Sequence, residues 1–187
     1  MSCGQYTESA AGRIRVVTSG TRPTGVDRYV GQRIFESDTG RELLYDGSGW
    51  IIMYEPLQAF VPVFLNTTTG NGTKAGVYQR RGGWCDFQAY FVLGTTSAVS
   101  GSVQLTLPFA GSVIRFGQFS VSLTDTSAGQ VFTGQSNSDP TNTTIYSAVV
   151  SGSNIGVSFL GATSPFTWAN GDAIEVSGSY PMSNRYA

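Results

Sequence analysis

The chain has few of the residues on which most catalytic and metal chemistry depends. Among its 187 residues there is no histidine, and there are one lysine and two cysteines. Without histidine the chain lacks the commonest general base and the commonest metal ligand. Cys3 and Cys85 cannot form a zinc site within one chain. The sequence therefore predicts a non-enzymatic protein with no catalytic residues, no metal site and no cofactor.

The two cysteines have a simpler interpretation. We expect Cys85 to be a small buried apolar residue and Cys3 to lie in a terminal arm. A disulfide between the two is the alternative that the sequence leaves open.

Charge is also scarce. Only 12% of the residues are charged and the formal net charge is −1, so no basic field exists to attract nucleic acid or anionic lipid. The N-terminus lacks the basic and apolar segments of a signal peptide, and no apolar run approaches the roughly 20 residues of a membrane span. We therefore expect a soluble protein with neither a nucleic-acid nor a membrane partner.

The charges that are present divide the chain. Residues 1–55 hold seven acids and six arginines, which is 13 of the 23 charged residues, and the other ten are spread over residues 56–187. The composition changes at Glu55-Pro56. We place a module boundary there, which predicts an N-terminal arm and hairpin module over 1–55 and a second domain over 56–187.

The N-terminal module shows alternating strands and turn residues. A short strand is predicted over Ile14–Val17, followed after a turn-rich passage by Gln32–Glu36, Glu42–Tyr45 and Trp50–Tyr54. Asp46-Gly47 stands between the last two, and Asp-Gly between β-rich runs is a strong hairpin signal because glycine accepts a positive φ. The last three strands therefore predict a small β-meander.

The C-terminal part is dominated by strand signals. Val103, Leu105 and Leu107 alternate with polar residues, as do Phe119–Leu123, which is the period of a strand with one buried face. No window shows helical periodicity. We predict an all-β chain in which the meander is followed by an antiparallel β-sandwich or jelly-roll-like domain. The stretches "NTTTGNGTKAG" and "GQSNSDPTNTT" are expected to be turns and loops.

The outward positions of these strands are unusual because they are serine and threonine rather than lysine and glutamate. There are 22 Ser and 20 Thr in the chain. A sheet with so few charges protects its edges poorly against pairing with another chain. Either these faces are covered in an oligomer, which we expect to be a homotrimer, or the hydroxyls simply solvate the sheet.

Two tripeptides invite a catalytic interpretation. Asp38-Thr39-Gly40 matches the tripeptide that carries the catalytic aspartate of aspartic proteases, and Asp125-Thr126-Ser127 could supply a second carboxylate. Such a dyad needs carboxylates about 3 Å apart on stiff, apolar-flanked loops, whereas Asp38 follows Glu36-Ser37 and precedes Arg41. Because Asp and Gly are common turn residues, we interpret both tripeptides as turns.

A longer pattern surrounds the first tripeptide. Residues 19–50, here called the hairpin module, contain Thr-Arg-Pro, Tyr-x-Gly-Gln, Ile-x-Glu-x-Asp-Thr-Gly, Asp-Gly and Trp in that order. This order and spacing resemble a module that recurs in virion proteins of tailed bacteriophages and prophages. The residues expected to form its structural or docking surface are Arg22, Pro23, Tyr29, Gly31, Asp38, Gly40, Asp46, Gly47 and Trp50.

The resemblance implies a structural protein of a tailed-bacteriophage virion, assembled in the host cytoplasm. The sequence has no heptads, collagen-like triplets or β-helical repeats of a fibre shaft. We therefore expect a compact oligomeric surface component, most simply a capsid decoration protein or head fibre. Its expected partners are other copies of itself and the major capsid protein or tail proteins.

A minor tail or tail-fibre protein that binds a host-surface glycan or receptor is the alternative. Trp84, Trp168 and Tyr180 could form a sugar-stacking platform, although aromatic residues of all-β chains are more often core residues. Asn66, Asn71 and Asn142 begin glycosylation sequons, which a threonine-rich chain also produces by chance.

Overall fold

The structure is a computed structural model that describes residues 14–112, 119–138, 142–151, 154–184 and 186. These residues form two compact units. Unit 1 comprises the residues up to Pro56 together with Arg80–Gly83 and Tyr186, and unit 2 comprises Leu57–Gln79 and Trp84–Asn184. The division of labour proposed from the charge distribution, with a docking module ending at residue 55, stays a prediction.

Unit 1 is built on a four-stranded sheet in the order β1-β2-β3-β4. Its strands are β1 (Arg15–Val17), β2 (Arg33–Glu36), β3 (Arg41–Tyr45) and β4 (Trp50–Tyr54). The predicted meander corresponds to β2, β3 and β4, which pair antiparallel. The strand predicted over Ile14–Val17 is present as β1. It pairs parallel with β2 at the edge of the sheet, a pairing that the sequence did not indicate.

The core of unit 1 is small and apolar. It is formed by one residue or more from each strand: Val17, Ile34, Leu43, Tyr45, Trp50 and Ile52. In β2 the buried residues alternate with more exposed ones, as the two-residue period of a strand requires. Two single turns of 3₁₀ helix, Ser19–Thr21 and Gly25–Asp27, connect β1 to β2.

Unit 2 contains the remaining ten strands. They are β5 (Gln58–Phe60), β6 (Phe64–Thr68), β7 (Thr73–Arg81), β8 (Trp84–Val92), β9 (Ala98–Thr106), β10 (Phe119–Asp125), β11 (Gln130–Ser138), β12 (Asn142–Ser151), β13 (Asn154–Phe159) and β14 (Ala173–Pro181). Nine of them follow the order β5-β7-β8-β14-β10-β11-β12-β9-β6, and β13 pairs with β12. The central pairs β8–β14, β14–β10 and β10–β11 are antiparallel.

The core of unit 2 shows that this sheet folds over on itself. Buried residues of β8, β10 and β14 share one apolar cluster with those of β6 and β9, and the rings of Phe64 in β6 and Phe91 in β8 lie 5.8 Å apart. Side chains from two layers therefore enclose one core. The predictions of an all-β chain and of an antiparallel sandwich are confirmed.

Side-chain alternation in this core also agrees with the sequence. Val103, Leu105 and Leu107 are buried, and so are the inward residues of β10. Cys85 is buried in the core of unit 2, which confirms its predicted role as a small core residue, whereas Cys3 lies outside the described residues. The lone lysine, Lys74, places its Nζ 4.6 Å from the Phe91 ring centroid, and burial lowers the pKa of its amine.

Two stretches predicted as loops are largely strand. Of "NTTTGNGTKAG", Asn66–Thr68 closes β6 and Thr73–Gly76 opens β7; of "GQSNSDPTNTT", all but residues 139–141 lie in β11 and β12. Threonine has a high strand propensity, and in a wide sheet the neighbouring strands satisfy the backbone whatever the side chains are. The loop prediction was wrong there.

The asparagines of two predicted sequons use their side chains in hydrogen bonds within unit 2. The Asn71 side chain accepts a hydrogen bond from the Thr96 amide at 2.9 Å and donates one to the Thr95 hydroxyl at 2.9 Å. The Asn66 side chain donates to the Ser102 carbonyl at 2.6 Å. The side chain of Asn142 lies outside the described part of the chain.

Among the described residues, no helix has the length and apolar character that crossing a membrane requires.

We expect Tyr180→Phe to destabilise unit 2 by about 2 kcal/mol. The Tyr180 hydroxyl is buried, donates to the Phe109 carbonyl and accepts from the Phe109 amide, both at 3.0 Å. Burial, and then the neighbouring Cys85, raise the pKa of Tyr180 far above its ordinary value, so the hydroxyl stays a neutral donor. Urea unfolding followed by fluorescence measures the loss. Tyr90→Phe, on the outer face of β8, is the matched control and should change stability little.

Candidate functional site

The predicted residues of the hairpin module all lie in unit 1, where they occupy the turns and strand ends of the four-stranded sheet. Most of their polar groups are engaged within the unit. Sheets of a few short strands are marginally stable by themselves.

Glu36 fixes the first turn of the module. It is the last residue of β2 and fully buried. Its carboxylate accepts hydrogen bonds from Arg22 Nε and from the Thr39 hydroxyl, and its carbonyl accepts one from the Gly40 amide at 2.8 Å. Pro23, next to the arginine, is buried too. Arg22 thus pairs with a buried carboxylate, and Gly40 closes the turn that follows it.

Asp38 ties the same turn to the 3₁₀ turn after β1. Its carboxylate accepts hydrogen bonds from the Ser19 amide at 2.9 Å and from the Ser19 hydroxyl at 2.6 Å. These hydrogen bonds hold the pKa of Asp38 below its ordinary value. A permanently ionised acceptor at this position keeps the two loops together over the whole neutral range of pH.

Asp46-Gly47 forms the predicted β3–β4 turn. The Asp46 carboxylate accepts hydrogen bonds from the amides of Ser48 and Gly49, both at 2.9 Å. Gly47 has a φ of 103°, which glycine adopts without the strain that a side chain would add. The Tyr45 hydroxyl donates to the Gly47 carbonyl at 2.7 Å, so the turn is closed from both sides.

Trp50 belongs to the core beneath this turn. It is buried, and its ring centroid lies 5.4 Å from that of Tyr45. The Arg28 guanidinium lies 4.5 Å above the Tyr45 ring, which places a cation over an aromatic face. Gly31, with a φ of 87°, donates its amide to the Tyr45 carbonyl at 2.8 Å.

The sequence analysis missed a second buried carboxylate. Glu55 is fully buried, and its oxygens contact Arg80 at 2.5 Å and Arg41 at 2.6 Å. Burial acts to raise the pKa of Glu55, but the hydrogen bonds and charges of Arg80 and then Arg41 outweigh burial, so the pKa lies below its ordinary value. One local feature of the sequence indicated that Glu55 is buried: it is an acid at the end of an apolar strand, as Glu36 is at the end of β2.

One surface of unit 1 remains apolar and open. The loop patch consists of three residues with exposed side chains: Val26 in the second 3₁₀ turn, and Tyr29 and Val30 between that turn and β2. Of the predicted site residues, Tyr29 is the one whose aromatic side chain points to solvent. Exposed apolar residues that cluster in this way mark contact surfaces more often than isolated ones do.

The positions of Asp38 and Asp125 give no support to the aspartic-protease interpretation. Asp38 and Asp125 each lie at a turn, as predicted, and Asp125 accepts hydrogen bonds from the Ser127 hydroxyl at 2.8 Å and the Ala128 amide at 2.9 Å. The Ala128 and Ser127 hydrogen bonds lower the pKa of Asp125. A dyad that shares a proton raises one pKa, whereas both pKa values here are lowered. The described residues contain no group of three metal-ligating side chains.

The outer face of unit 2 carries a polar recess of about 150 Å³ across β8, β14 and β10. It is lined by Gln88, Ser120, Ser122, Glu175, Val176 and Ser177. The aromatic platform suggested by the sequence does not form as a set, because Tyr180 is fully buried and Trp168 packs against the core, with its Nε1 donating to the Gly161 carbonyl at 2.9 Å. Trp84 is half exposed.

We expect Glu55→Gln to destabilise unit 1 by about 3 kcal/mol, because it leaves two arginines facing a neutral amide. The lowered pKa of Glu55 gives stability that is complete above the ordinary value of 4.5 and is lost as the pH falls through the lowered folded value. Thermal unfolding between pH 7 and pH 2 should therefore show a shallower acid loss in the variant. A wild-type acid slope in Glu55→Gln would contradict this assignment.

Glu42→Gln is the matched control for that experiment. Glu42 pairs with Arg33 at 3.1 Å, but the Arg33 side chain is 53% exposed and the Glu42 side chain 35% exposed, whereas the Glu55 side chain is fully buried. Pairs of this kind contribute about 0.5 kcal/mol, so this variant should keep both the stability and the pH dependence of the wild type.

Comparison with protein-family models, with curated proteins and with solved structures gives no match to this chain. The function must therefore be inferred from its own residues and their arrangement.

Proposed function

We propose that the chain is a non-enzymatic structural protein of a tailed-bacteriophage virion, and most simply a compact oligomeric component of the capsid surface. The resemblance of residues 19–50 to a module of such particles motivates the proposal. The particle would be its location, and assembly would take place in the host cytoplasm. The chemistry of the chain is compatible with this role, since contact and durability need neither histidine nor a metal.

One observation carries the docking part of the proposal: the hairpin module uses its polar residues internally and leaves an apolar patch outside. Glu36, Asp38 and Asp46 each accept two or more hydrogen bonds from within unit 1. The loop patch is supported by the rigid turn at Gly31. A preformed apolar surface on a small, well-ordered unit can bind a partner without a large ordering cost.

The major capsid protein is the partner we assign to the loop patch, with a tail protein as the alternative. The absence of shaft-forming repeats in the sequence favours a position on the capsid over a long fibre. Copy number distinguishes the two positions, because a decoration protein is present in hundreds of copies and a tail component in a handful.

A particle-incorporation experiment tests this proposal. We expect the double variant Val26→Glu, Tyr29→Ser to fold normally, because both side chains are exposed, and to be at least tenfold depleted from purified particles in a complementation assay. Quantitative mass spectrometry of the particles gives the copy number in the same measurement. Val131→Glu, an exposed valine of unit 2, is the control and should incorporate normally. Normal incorporation of the double variant would refute the loop patch as the docking surface.

The recess on unit 2 favours a second candidate, host-glycan binding by a tail-type protein. Its amide, carboxylate and hydroxyl groups are of the kind that hydrogen-bond sugar hydroxyls, and they lie on the rigid centre of the sheet. A glycan array probed with the full chain tests this candidate. Loss of glycan binding in Glu175→Gln would support this candidate. Asp86→Asn is the control: Asp86 lies on the neighbouring strand β8, on the same face of the sheet but outside the recess, and its substitution should keep binding. No glycan bound by the wild type would exclude the candidate.

A further inference from the structure

The polar recess on the outer face of unit 2 is formed by the register of the sheet. Ser177 of β14 lies opposite Ser120 of β10, and Glu175 lies opposite Ser122. Residues opposite each other in an antiparallel pair share a face, with their Cβ atoms about 5 Å apart. Residues two apart along one strand are separated by about 7 Å. Three hydroxyls and one carboxylate therefore stand at the corners of a small rectangle.

Packing on the inner side of the sheet holds this rectangle in place. The glutamines Gln88 and Gln135 lie opposite Ser177 and Ser120 on the two neighbouring strands, so longer side chains flank the short serines and leave a depression between them. The residues that alternate with the rectangle along β10 and β14 are buried in the core: Phe119, Val121, Ile174 and Val176. A site on strands that are anchored in this way is more precisely positioned than a site on loops.

The recess contains a carboxylate and no cation. None of its lining residues is basic. Glu175 is exposed and forms no ion pair or hydrogen bond with any other residue that the structure describes. Two other acids of unit 2, Asp125 and Asp172, accept hydrogen bonds from backbone amides. Glu175 differs from them because its acceptor oxygens are available to a ligand.

Unit 2 as a whole is acidic around this recess. Its segments 57–79 and 84–184 contain five acids and two bases, which gives a net charge of −3. One of the bases, Lys74, places its ammonium group 4.6 Å from the ring centroid of Phe91, a core residue, and the other, Arg115, lies outside the described residues. A field of this sign attracts a cationic ligand and repels an anionic one.

An aromatic ring lies beside the carboxylate. Tyr90 of β8 is the residue opposite Glu175. Ala89 and Phe91, on either side of it, are buried, so Tyr90 points outward on the same face of the sheet. A carboxylate attracts an ammonium group by its charge, and the face of an aromatic ring attracts it through the ring quadrupole. The two groups together favour a positively charged amine at this corner of the recess.

We propose that the recess binds a single amino sugar, with the ammonium group of the sugar at Glu175 and its hydroxyls on the three serines. This inference rests on the glycan-binding candidate and adds the class of sugar. Hydrogen bonds between charged groups are about twice as strong as neutral ones, so an ammonium group uses the carboxylate better than a hydroxyl does. The volume of about 150 Å³ is below the roughly 300–1,000 Å³ of pockets for drug-sized ligands, which suits one sugar residue.

An NMR titration of the full chain tests this inference. The probes are the methyl glycosides of glucosamine and galactosamine, each compared with its N-acetylated form and with the corresponding uronic acid. We expect one of the two amino sugars to bind at least tenfold more tightly than its N-acetylated form, with shifts at the backbone amides of Ser120, Ser122 and Ser177. The uronic acids should not bind, because they bring a second negative charge to Glu175.

Two variants separate the charge of the recess from the charge of the surface. Glu175→Gln should lower the affinity for the amino sugar at least tenfold and abolish its advantage over the N-acetylated form. Glu175 is exposed, so this variant should keep the wild-type fold. Asp86→Asn removes an equal charge from the same face outside the recess and should leave both affinities unchanged.

Failure of this inference and failure of glycan binding give different results. Equal affinities for the amino and N-acetylated sugars would overturn the amino-sugar assignment and leave glycan binding in place. Amino-sugar binding that persists in Glu175→Gln, or that shifts only amides outside the recess, would overturn the assignment too. No shift with any of these sugars, together with a glycan array that shows no binding, would exclude glycan binding itself and this inference with it.

Discussion

The pairing of two buried carboxylates with arginine is the constraint on which unit 1 depends. A carboxylate taken out of water costs several kcal/mol unless a cation and hydrogen-bond donors replace the lost hydration. Glu36 obtains these from Arg22 and Thr39, and Glu55 obtains them from Arg41 and Arg80. Each carboxylate lies at the end of a strand, and its arginine partners lie on other segments of the unit. A fold that placed those segments elsewhere would leave a buried charge unpaired. Four short strands with a core of six residues thereby acquire a single arrangement.

Unit 2 follows a different physical principle. Its core is large and nearly free of charge, and edge-to-face contacts join Phe87, Phe119 and Tyr180 at centroid distances of 5.0 to 6.0 Å. Such contacts give geometric specificity in addition to the area that the rings bury. The buried Tyr180 hydroxyl donates to the Phe109 carbonyl and accepts from the Phe109 amide. Its burial therefore leaves no hydrogen-bonding group of the hydroxyl unsatisfied. Aromatic packing holds the core of unit 2 together. The residues on its outer face are therefore free to form contacts with a partner.

Sequence reasoning recovered the elements whose signal is local. The Asp46-Gly47 hairpin, the alternation in β9 and β10, the turn at Asp38 and the burial of Cys85 follow from residue type and spacing alone. The parallel pairing of β1 with β2, the Glu55 cluster and the strand character of the Ser/Thr-rich stretches did not, because each is decided by residues distant in the chain. Arg80 lies 25 positions after Glu55, and no local pattern connects the two.

The composition of unit 1 has a consequence for the order of events during synthesis. Arg80 supplies half of the positive charge around Glu55, and Tyr186 forms a bridge to Ile51 and donates its hydroxyl to Asp46 at 3.3 Å. A ribosome that has made only the first 56 residues has therefore not yet provided the groups that complete this unit. Glu55 stays incompletely neutralised until Arg80 has emerged. Domains usually mature in the order of translation, whereas unit 1 also includes Arg80–Gly83 and Tyr186, which are made after the first residues of unit 2.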